Sequence, residues 1–368
     1  FLPGVVVALG AAANAFTSNT VFPTSGFILD SFGQNPANNT QFGLLQQVNP
    51  AALPLGNLSF MAESASALLD EPILPYITRR TDVGGTRFSL WMRGTSGHTR
   101  QLISTSITGS GISLSSSGEV RTVHQAIQGG ADLGISLGGA WILHVGVTGG
   151  IYDGASQFSA TDRIAVDAEF MGGYFAIENG DFTLDGSIRK EWRTYDLVSP
   201  SLFGAEALRK LDGSASAGSA HAPYGSGGKP GSPATPFVGF TYASSRIDDL
   251  PIDAFSAFSP GGDKTKVGQA GLRLSYRAGS DENIVIEPFV AGAVLKNWSR
   301  SDSATIGVVA PVTAFTIDSA TWDDAVRYSA GISAKARNGQ VTGFVVGNLD
   351  DSSERKSVTV SGGIRFNF

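Results

Sequence analysis

The sequence contains no cysteine among its 368 residues. This absence excludes a disulfide framework, thiolate zinc sites and cysteine nucleophiles. Histidine is also scarce, since only His98, His124, His144 and His221 occur, one per segment and without an H-x-x-x-H spacing. We therefore expect no metal site, no catalytic residue and no cofactor.

Charged residues are also scarce. Only 16% of the residues are charged, whereas an ordinary soluble domain has about 25%. The formal net charge is −6, the sequence pI is near 5.3, and no run of four basic residues occurs. A nucleic-acid partner is therefore not expected, because it normally requires a basic patch.

Long hydrophobic runs are also missing. The longest apolar stretch, Phe1–Phe16, is shorter than the ~18 residues of a membrane-spanning helix and is interrupted by Pro3, Gly4 and Gly10. No transmembrane helix is predicted. The stretch has neither an initiating Met nor the basic start of a signal peptide, so we expect a fragment whose export signal, if any, lay upstream.

What the sequence has in abundance is two-residue alternation, which runs from Arg87 to the last residue. In the final segment Val358, Val360, Ile364, Phe366 and Phe368 share one face of a strand, while Thr359, Ser361, Arg365 and Asn367 share the other. An antiparallel soluble sheet would show the same alternation. The pattern therefore predicts an all-β protein without deciding what surrounds it.

The connections between strands separate the two possibilities. Tight turns at 137–139, 178–181, 280–283 and 337–340 alternate with long polar loops at 98–122, 153–162, 196–207, 246–263 and 299–321. Outer-membrane barrels are built with this asymmetry and with an even number of strands. We predict a closed antiparallel transmembrane β-barrel of about twelve strands, at 87–96, 125–136, 140–152, 163–176, 182–194, 208–220, 235–244, 266–278, 284–296, 324–336, 340–349 and 357–368.

Lipid inverts the usual distribution of side chains, because a closed barrel turns its apolar faces outward. The charges predicted to line the lumen are Arg93, Asp132, Glu169, Arg189, Arg273, Arg327 and Arg365. The aromatic residues predicted to form girdles near the strand ends are Trp141, Tyr174, Tyr276, Trp298, Tyr328, Phe366 and Phe368.

Residues 1–80 have a different composition, with Arg79 and Arg80 as their only basic residues. Ser59–Glu71 is the best helix, carries mostly Ala and Ser on its surface, and stops at Pro72. Because its side chains are small, this helix has a small diameter, which suits a helix that lies inside a narrow space. The alternative is a surface helix of a small N-terminal subdomain.

Phe88–Gly94 contains a Trp followed by Arg-Gly, and Gly129–Gly134 is followed by the strand segment Ala140–Val147. These segments resemble the first strand and the second hairpin of the type V autotransporters, whose C-terminal translocator is a barrel of about twelve strands. Thr235–Tyr242 and Ile286–Val290 resemble two later strand openings. The last strand, Ser357–Phe368, ends on Phe as the family's assembly signal does, which implies a signal formed by Phe368, Phe366 and Ile364.

The resemblance implies an N-terminal α-helix inside the pore, at Ser59–Glu71. It divides the chain into a passenger tail or linker at 1–57, the pore helix and its connection at 58–80, and the translocator barrel at 81–368. It also implies a monomer in the outer membrane of a Gram-negative bacterium, with extracellular long loops and periplasmic barrel termini. Its expected partners are the outer-membrane assembly machinery, lipid or lipopolysaccharide, and its own passenger, which it anchors and exports without catalysis.

Some members cut themselves between two asparagines within the pore helix. Asn38 and Asn39 form the only such pair here, but they lie beside Pro36 and upstream of the predicted helix. A solvated loop is the favoured interpretation, and self-cleavage is the weaker alternative.

Two other function classes remain open from the sequence. One is a porin or solute channel, and the other is a barrel-rim hydrolase that uses His98 and His124, which flank one long loop. Gly134–Gly138 matches the G-x-S-x-G nucleophile motif. That motif needs a strand followed by a helix, whereas a strand is predicted after this one, so we interpret the match as turn chemistry.

Overall fold

The computed structural model describes fourteen stretches of the chain: 87–109, 112–139, 141–157, 162–179, 182–198, 208–223, 234–251, 256–259, 262–279, 284–299, 301–309, 312–320, 324–336 and 340–368. The predicted helix Ser59–Glu71, the pair Asn38 and Asn39, and the divisions at 1–57 and 58–80 lie outside these residues. In the described stretches no helix is long and apolar enough to span a membrane.

In the part of the chain that the structure describes, seventeen strands form one continuous sheet. Their bounds are β1 Arg87–Gly109, β2 Ile112–Gly138, β3 Trp141–Gln157, β4 Arg163–Asn179, β5 Phe182–Val198, β6 Leu208–Pro223, β7 Ala234–Ile247, β8 Leu250–Pro251, β9 Ser256–Ser259, β10 Gly262–Ser275, β11 Ala278–Gly279, β12 Ile284–Asn297, β13 Ser301–Val309, β14 Val312–Ala320, β15 Ala325–Ala336, β16 Val341–Asp351 and β17 Arg355–Asn367.

Twelve of these strands close into an antiparallel barrel, which confirms the predicted closed barrel of about twelve strands. β1 to β7 pair in succession, followed by β10, β12, β15, β16 and β17. The ring is closed by β17 on β1, in register from Ser89 opposite Asn367 to Gln101 opposite Arg355. Among the described residues, closure therefore gives each of the twelve strands a neighbour on both sides, as hydrocarbon requires, and residues 112–120 of β2 extend beyond β3 and pair with β1 alone.

The barrel has two unlike ends. β1 begins and β17 finishes at the end that also carries the short connections β2–β3, β4–β5 and β15–β16; we call it the turn end. The β2–β3 turn contains Gly138 and Gly139 with φ of 100° and 60°, a left-handed backbone that glycine adopts without strain. The opposite end carries the longer connections β3–β4, β5–β6, β7–β10 and β12–β15 and is called here the loop end. The exceptions are the longer β6–β7 connection, 224–233, at the turn end and the short β1–β2 and β16–β17 connections, 110–111 and 352–354, at the loop end.

The loop end contains more regular structure than the sequence predicts. The segment 98–122, predicted as a loop, continues β1 and β2, which stay paired as far as Gly109 opposite Ile112. Where β17 no longer accompanies β1, β14 pairs with Thr105–Thr108, β13 pairs with β14, and β9 pairs with β13. These loop sequences are rich in Thr, Ile and Val, whose branched side chains favour strands.

The two faces of the barrel have opposite composition. Large apolar side chains are exposed on the outer face, including Leu90, Val147, Ile188, Leu272 and Val360. Buried polar and charged side chains occupy the inner face, including Arg93, Gln128, Asp132, Glu191 and Arg365. Such an inverted distribution is stable when lipid surrounds the barrel.

Glycine allows aromatic rings to lie flat against the inner wall. A Cβ on Gly150 of β3 would lie 2.2 Å from the carbonyl oxygen of Ile127 and 2.6 Å from Cζ of Phe170. A Cβ on Gly146 would lie 2.5 Å from Cζ of Tyr174. Real Cβ atoms do not approach so closely, so both positions require glycine.

This packing predicts that alanine destabilises the barrel at one glycine position and is tolerated at another. Gly150→Ala should lower the free energy of unfolding by about 1–3 kcal/mol, because the backbone carbonyl in its way cannot move aside. Gly292→Ala on β12 is the matched control, since nothing lies within 4 Å of its Cβ, and it should be neutral or stabilising by up to about 1 kcal/mol. Denaturant unfolding of the refolded barrel measures both, and equal effects would contradict the packing.

Candidate functional site

The inner face of the barrel is the surface that any transported chain or solute would meet. The alternation of each strand directs every second side chain into it. On β1, β2 and β3, Arg93 Nε donates to Gln128 Oε1 at 2.7 Å and Gln128 Nε2 donates to Thr148 Oγ1 at 2.9 Å. Polar groups on this wall therefore satisfy one another across neighbouring strands.

Asp132 is the centre of a larger network near the turn end. Arg365 Nη2 donates to Asp132 Oδ1 at 2.6 Å, and the Tyr174 hydroxyl donates to Asp132 Oδ2 at 2.7 Å. Trp91 Nε1 in turn donates to the Tyr174 oxygen at 2.6 Å. Because Arg365 lies on β17 and Asp132 on β2, the network bridges the closing seam of the barrel through β1.

His144 extends the network to two carboxylates. Its Nδ1 lies 3.1 Å from Asp132 Oδ1 and its Nε2 lies 3.0 Å from Glu178 Oε1. All three residues are shielded from solvent on the inner wall. The histidine is thus held at both ring nitrogens, on β3 between β2 and β4.

β5 carries a second charged cluster on one strand face. Arg189 Nε donates to Glu191 Oε1 at 2.7 Å, and Arg193 donates to Glu191 Oε2 through both Nε, at 2.9 Å, and Nη2. Nearby, His221 Nδ1 of β6 lies 3.0 Å from Asp185 Oδ1. Burial of these charges is tolerated because each is paired and hydrogen-bonded.

The opposite wall contains two further pairs. Arg273 Nη2 donates to Glu287 Oε1 at 2.8 Å, and its guanidinium lies 4.2 Å from the centroid of the Phe289 ring. Arg327 binds Asp350 with Nε at 2.6 Å and Nη2 at 2.9 Å. Opposite charges therefore alternate around the lumen, which makes its wall wettable without a field of one sign.

The structure places six of the seven predicted lumen charges on the inner wall, namely Arg93, Asp132, Arg189, Arg273, Arg327 and Arg365. Glu169 is a correction, because it is exposed on the outer face beside Ile151. β4 is 17 residues long, whereas crossing the apolar core takes about 9–11. The part of β4 near the loop end therefore projects beyond lipid, and Asp167 and Glu169 face outward there while Met171 and Phe175 cover the outer face below.

Tyr174 is the second correction on β4. Its predicted place was an aromatic girdle on the outer face, but its ring is buried inside, edge-on to Trp91 with the ring centroids 5.9 Å apart. The other girdle candidates are exposed on the outer face: Trp141, Tyr276, Trp298, Tyr328, Phe366 and Phe368. No signal within the β4 sequence identifies Tyr174 as a lumenal hydrogen-bond donor, because its partners come from β1 and β2.

The candidate hydrolase residues do not assemble. His98 faces outward on β1 and His124 faces inward on β2, on opposite sides of the same sheet. Gly134–Gly138 lies at the end of β2 and leads through a turn into β3, not into a helix. The geometry therefore gives neither histidine a neighbouring nucleophile of the elbow type.

At the seam, Phe368 follows β17 and meets the start of β1. Its backbone N–H donates to the carbonyl oxygen of Phe88 at 2.9 Å, and the two rings stack with their centroids 6.2 Å apart. Phe366 lies opposite Leu90 and Ile364 opposite Met92. The three residues of the predicted assembly signal thus form the outer side of the closing strand pair.

Comparison with known proteins adds to this geometry. A family model described as the autotransporter beta-domain matches residues 90–346. The chain belongs to that family. No curated protein matched the sequence.

The autotransporter domain also resembles solved structures, at identities that show a shared fold. The transport unit of the autotransporter AIDA-I from Escherichia coli superposes with a TM-score of 0.60 at 12% identity, covering 88% of this chain and 100% of that one. The beta domain of the Bordetella autotransporter BrkA gives 0.55 at 13% identity, covering 76% and 98%. The translocator domain of NalP from Neisseria meningitidis gives 0.50 at 15%, covering 76% and 88%.

The barrel and the family together assign the autotransporter domain to the outer membrane of a Gram-negative bacterium, as a translocator. This assignment favours the translocator over the solute channel and the hydrolase that the sequence left open.

Proposed function

We propose that this barrel anchors and exports an N-terminal passenger through its own lumen, without catalysis. Ser59–Glu71 forms a helix inside the pore, the loop end is extracellular, and the turn end with both barrel termini is periplasmic. The partners are the passenger, the outer-membrane assembly machinery and the surrounding lipid, including lipopolysaccharide. The closed ring of twelve strands functions as a monomer.

The position of β1 is the observation that carries this proposal. β1 begins at Arg87, at the turn end, next to the C-terminal residue. A passenger on the far side of the membrane must therefore connect to Arg87 through the length of the lumen. The paired charges of the inner wall support such a path, because a chain sliding along them meets charges that are already compensated by neighbouring strands.

The orientation rests on the strands that project beyond lipid. β3, β4 and β5 each have 17 residues, and near the loop end the outer face carries exposed Asp153 on β3 and exposed Asp167 and Glu169 on β4. Extended loops and long strands lie on the extracellular side of outer-membrane barrels, while the periplasmic turns are short. The loop end is accordingly the extracellular one.

Export and plugging are tested on the whole chain. With a secretion signal and an epitope tag ahead of residue 1, we expect the tag to be accessible to antibody on intact cells. In planar bilayers the refolded chain should conduct weakly, and deletion of Ser59–Glu71 should raise the conductance, because the pore loses its helix. Deletion of an equally long segment within residues 1–57 is the control and should leave conductance unchanged. A tag accessible only after permeabilisation, or equal conductance in the two deletions, would contradict the proposal.

A further inference from the structure

From the turn end toward the loop end, the side chains on the outer face of β7, β10 and β12 change from apolar to aromatic and then to cationic. Apolar Val238, Leu272 and Leu274 come first. On β7 they are followed by Phe240 and Tyr242, and on β10 by Gly268. Cations come next, and Arg246, Lys264 and Lys266 are all exposed on this outer face.

Two aromatic rings form a platform directly below these cations. Trp298, which follows β12, lies over Gly268, where a Cβ would be 2.5 Å from its ring. Phe240 lies opposite Gly268 in the β7–β10 register, and its ring centroid is 6.1 Å from that of Trp298. The Trp298 backbone N–H donates to the carbonyl oxygen of Lys266 at 2.9 Å, which ties the platform to the cationic strand.

The three cations are close neighbours. Lys264 and Lys266 are two residues apart on the same face of β10. Arg246 lies opposite Gly262, so it is the diagonal neighbour of Lys264, at a typical separation of about 7–8 Å. Directly opposite Lys264 is Ser244, whose short side chain is two residues from Arg246 on β7. Three flexible cationic groups can therefore converge on one anion.

These cations form no ion pair with the described part of the chain, and the exposed Asp248 and Asp249 that follow Arg246 are not paired with it. Arg246, Lys264 and Lys266 have no side-chain hydrogen bond or ion pair with any described residue. The adjacent Lys296 differs, because its Nζ lies 2.6 Å from Asp324 Oδ2, a hydrogen bond that lowers the pKa of Asp324. Like charges placed side by side on a sheet repel, so an external anion would stabilise this arrangement.

A second cationic group on the barrel provides the comparison. Arg100 lies opposite both Arg121 and Lys356 on the outer face. There Arg121 Nε lies 2.8 Å from Glu119 Oε1, and Lys356 Nζ lies 3.4 Å from Asp351 Oδ1. Nearby carboxylates thus compensate that group, whereas the group on β7 and β10 has none of these pairings.

We infer that Arg246, Lys264 and Lys266, above the Phe240–Trp298 platform, bind the phosphorylated headgroup of a lipid in the outer leaflet. The cations contact the phosphate, and the exposed rings and the apolar face below contact the sugar and acyl chains. Basic side chains just outside an aromatic belt suit this chemistry, since indole rings prefer the interface and lysine stems extend along it. The inference rests on the proposed extracellular placement of the loop end, and it adds a lipid site to that function.

The test titrates the refolded full chain, in detergent, with bisphosphorylated lipid A and counts bound lipid by native mass spectrometry. The triple variant Arg246→Gln/Lys264→Gln/Lys266→Gln should bind on the order of 100-fold more weakly than the natural sequence. The double variant Lys264→Gln/Lys266→Gln should lose about 30-fold and serves if the triple variant does not fold. Heat-modifiable migration on gels confirms folding of each variant.

The matched control removes the same number of cations from the compensated group, as Arg100→Gln/Arg121→Gln/Lys356→Gln, and should retain binding. Dephosphorylated lipid A should bind as weakly to the natural sequence as lipid A does to the triple variant. Equal binding by the natural and triple-variant chains, an equal loss in the control, or displacement of lipid A by inorganic phosphate at the same concentration would each overturn the inference.

Failure of this inference is distinguishable from failure of the proposed function. Lipid binding is measured on the purified full chain in detergent, whereas export is measured by tag accessibility on cells. If the triple variant binds lipid A as well as the natural sequence does while the tag is exposed on cells, only the lipid site is overturned. If lipid A binds at this site but the tag is inaccessible on intact cells, only passenger export is overturned.

Discussion

Deletion of Phe368 should remove most of the folded barrel from the outer membrane. Its side chain is 70% exposed on the lipid-facing side, so little burial is lost with it. The deletion removes one backbone hydrogen bond and one ring stack with Phe88, together about 1–3 kcal/mol. If the assembly machinery also recognises the aromatic C-terminal residue, the amount of membrane-inserted barrel should fall much further than this small loss of stability would cause.

The measurement compares two quantities. Heat-modifiable, membrane-inserted protein reports how much chain is assembled, and denaturant unfolding of the assembled fraction reports its stability. We expect a large fall in the first, with accumulation and degradation in the periplasm, and only a small fall in the second. Normal levels of inserted barrel after deletion would show that the terminal Phe is not an assembly signal.

Phe88→Leu is the matched control for this experiment. It removes the same ring stack from the β1 side while leaving the C-terminal residue in place. Recognition by the assembly machinery predicts that Phe88→Leu assembles nearly normally. If it reproduced the defect of the deletion, the stack itself and not the aromatic terminus would be the cause.

The barrel and most of its lumen charges are predictable from the sequence, because alternation is a local property. A residue such as Arg93 or Arg365 is placed inside as soon as its neighbours are known to face lipid. Tight turns can be located in the same way, since Gly138 and Gly139 supply the backbone that a turn needs. Strand number then follows from counting the segments between turns.

Glu169 shows where alternation is insufficient. A polar outer face next to water and a polar inner face next to a wet lumen look alike in sequence, so the period alone does not reveal which side of β4 faces out. The deciding fact is height relative to the membrane, since the outer face carries Met171 at one level and Glu169 just above it. Height depends on how β4 is registered against its neighbours.

Partners across strands are the other part that sequence does not provide. Asp132 and Arg365 are separated by 233 positions, and only closure of β17 on β1 brings them together. The β1–β2 register pairs His124 with Gly97 and places His98 on the opposite face of the sheet, although the sequence suggests that the two histidines flank one loop as neighbours. Register, not residue type, determines both outcomes.

The Asp132 network predicts the largest effect on stability. Asp132→Ala would leave the Arg365 guanidinium buried without its carboxylate and would remove acceptors from Tyr174 and His144. Breaking a buried ion pair by removing one partner typically costs about 3–5 kcal/mol. We expect a fall of this size in the free energy of unfolding, and slower closure of the seam during assembly.

Unfolding in denaturant, followed by tryptophan fluorescence, measures the effect, and Trp91 reports directly because its indole donates to Tyr174. Asp153→Ala on β3 is the matched control, since Asp153 is exposed on the outer face, and it should change stability by less than about 0.5 kcal/mol. A double-mutant cycle with Arg365→Ala should give a coupling energy of about 1–3 kcal/mol, because each single change leaves the other member of the pair buried without its counter-charge. Additive effects, or an Asp132→Ala loss no larger than that of the control, would mean that the seam is held by the β1–β17 backbone alone.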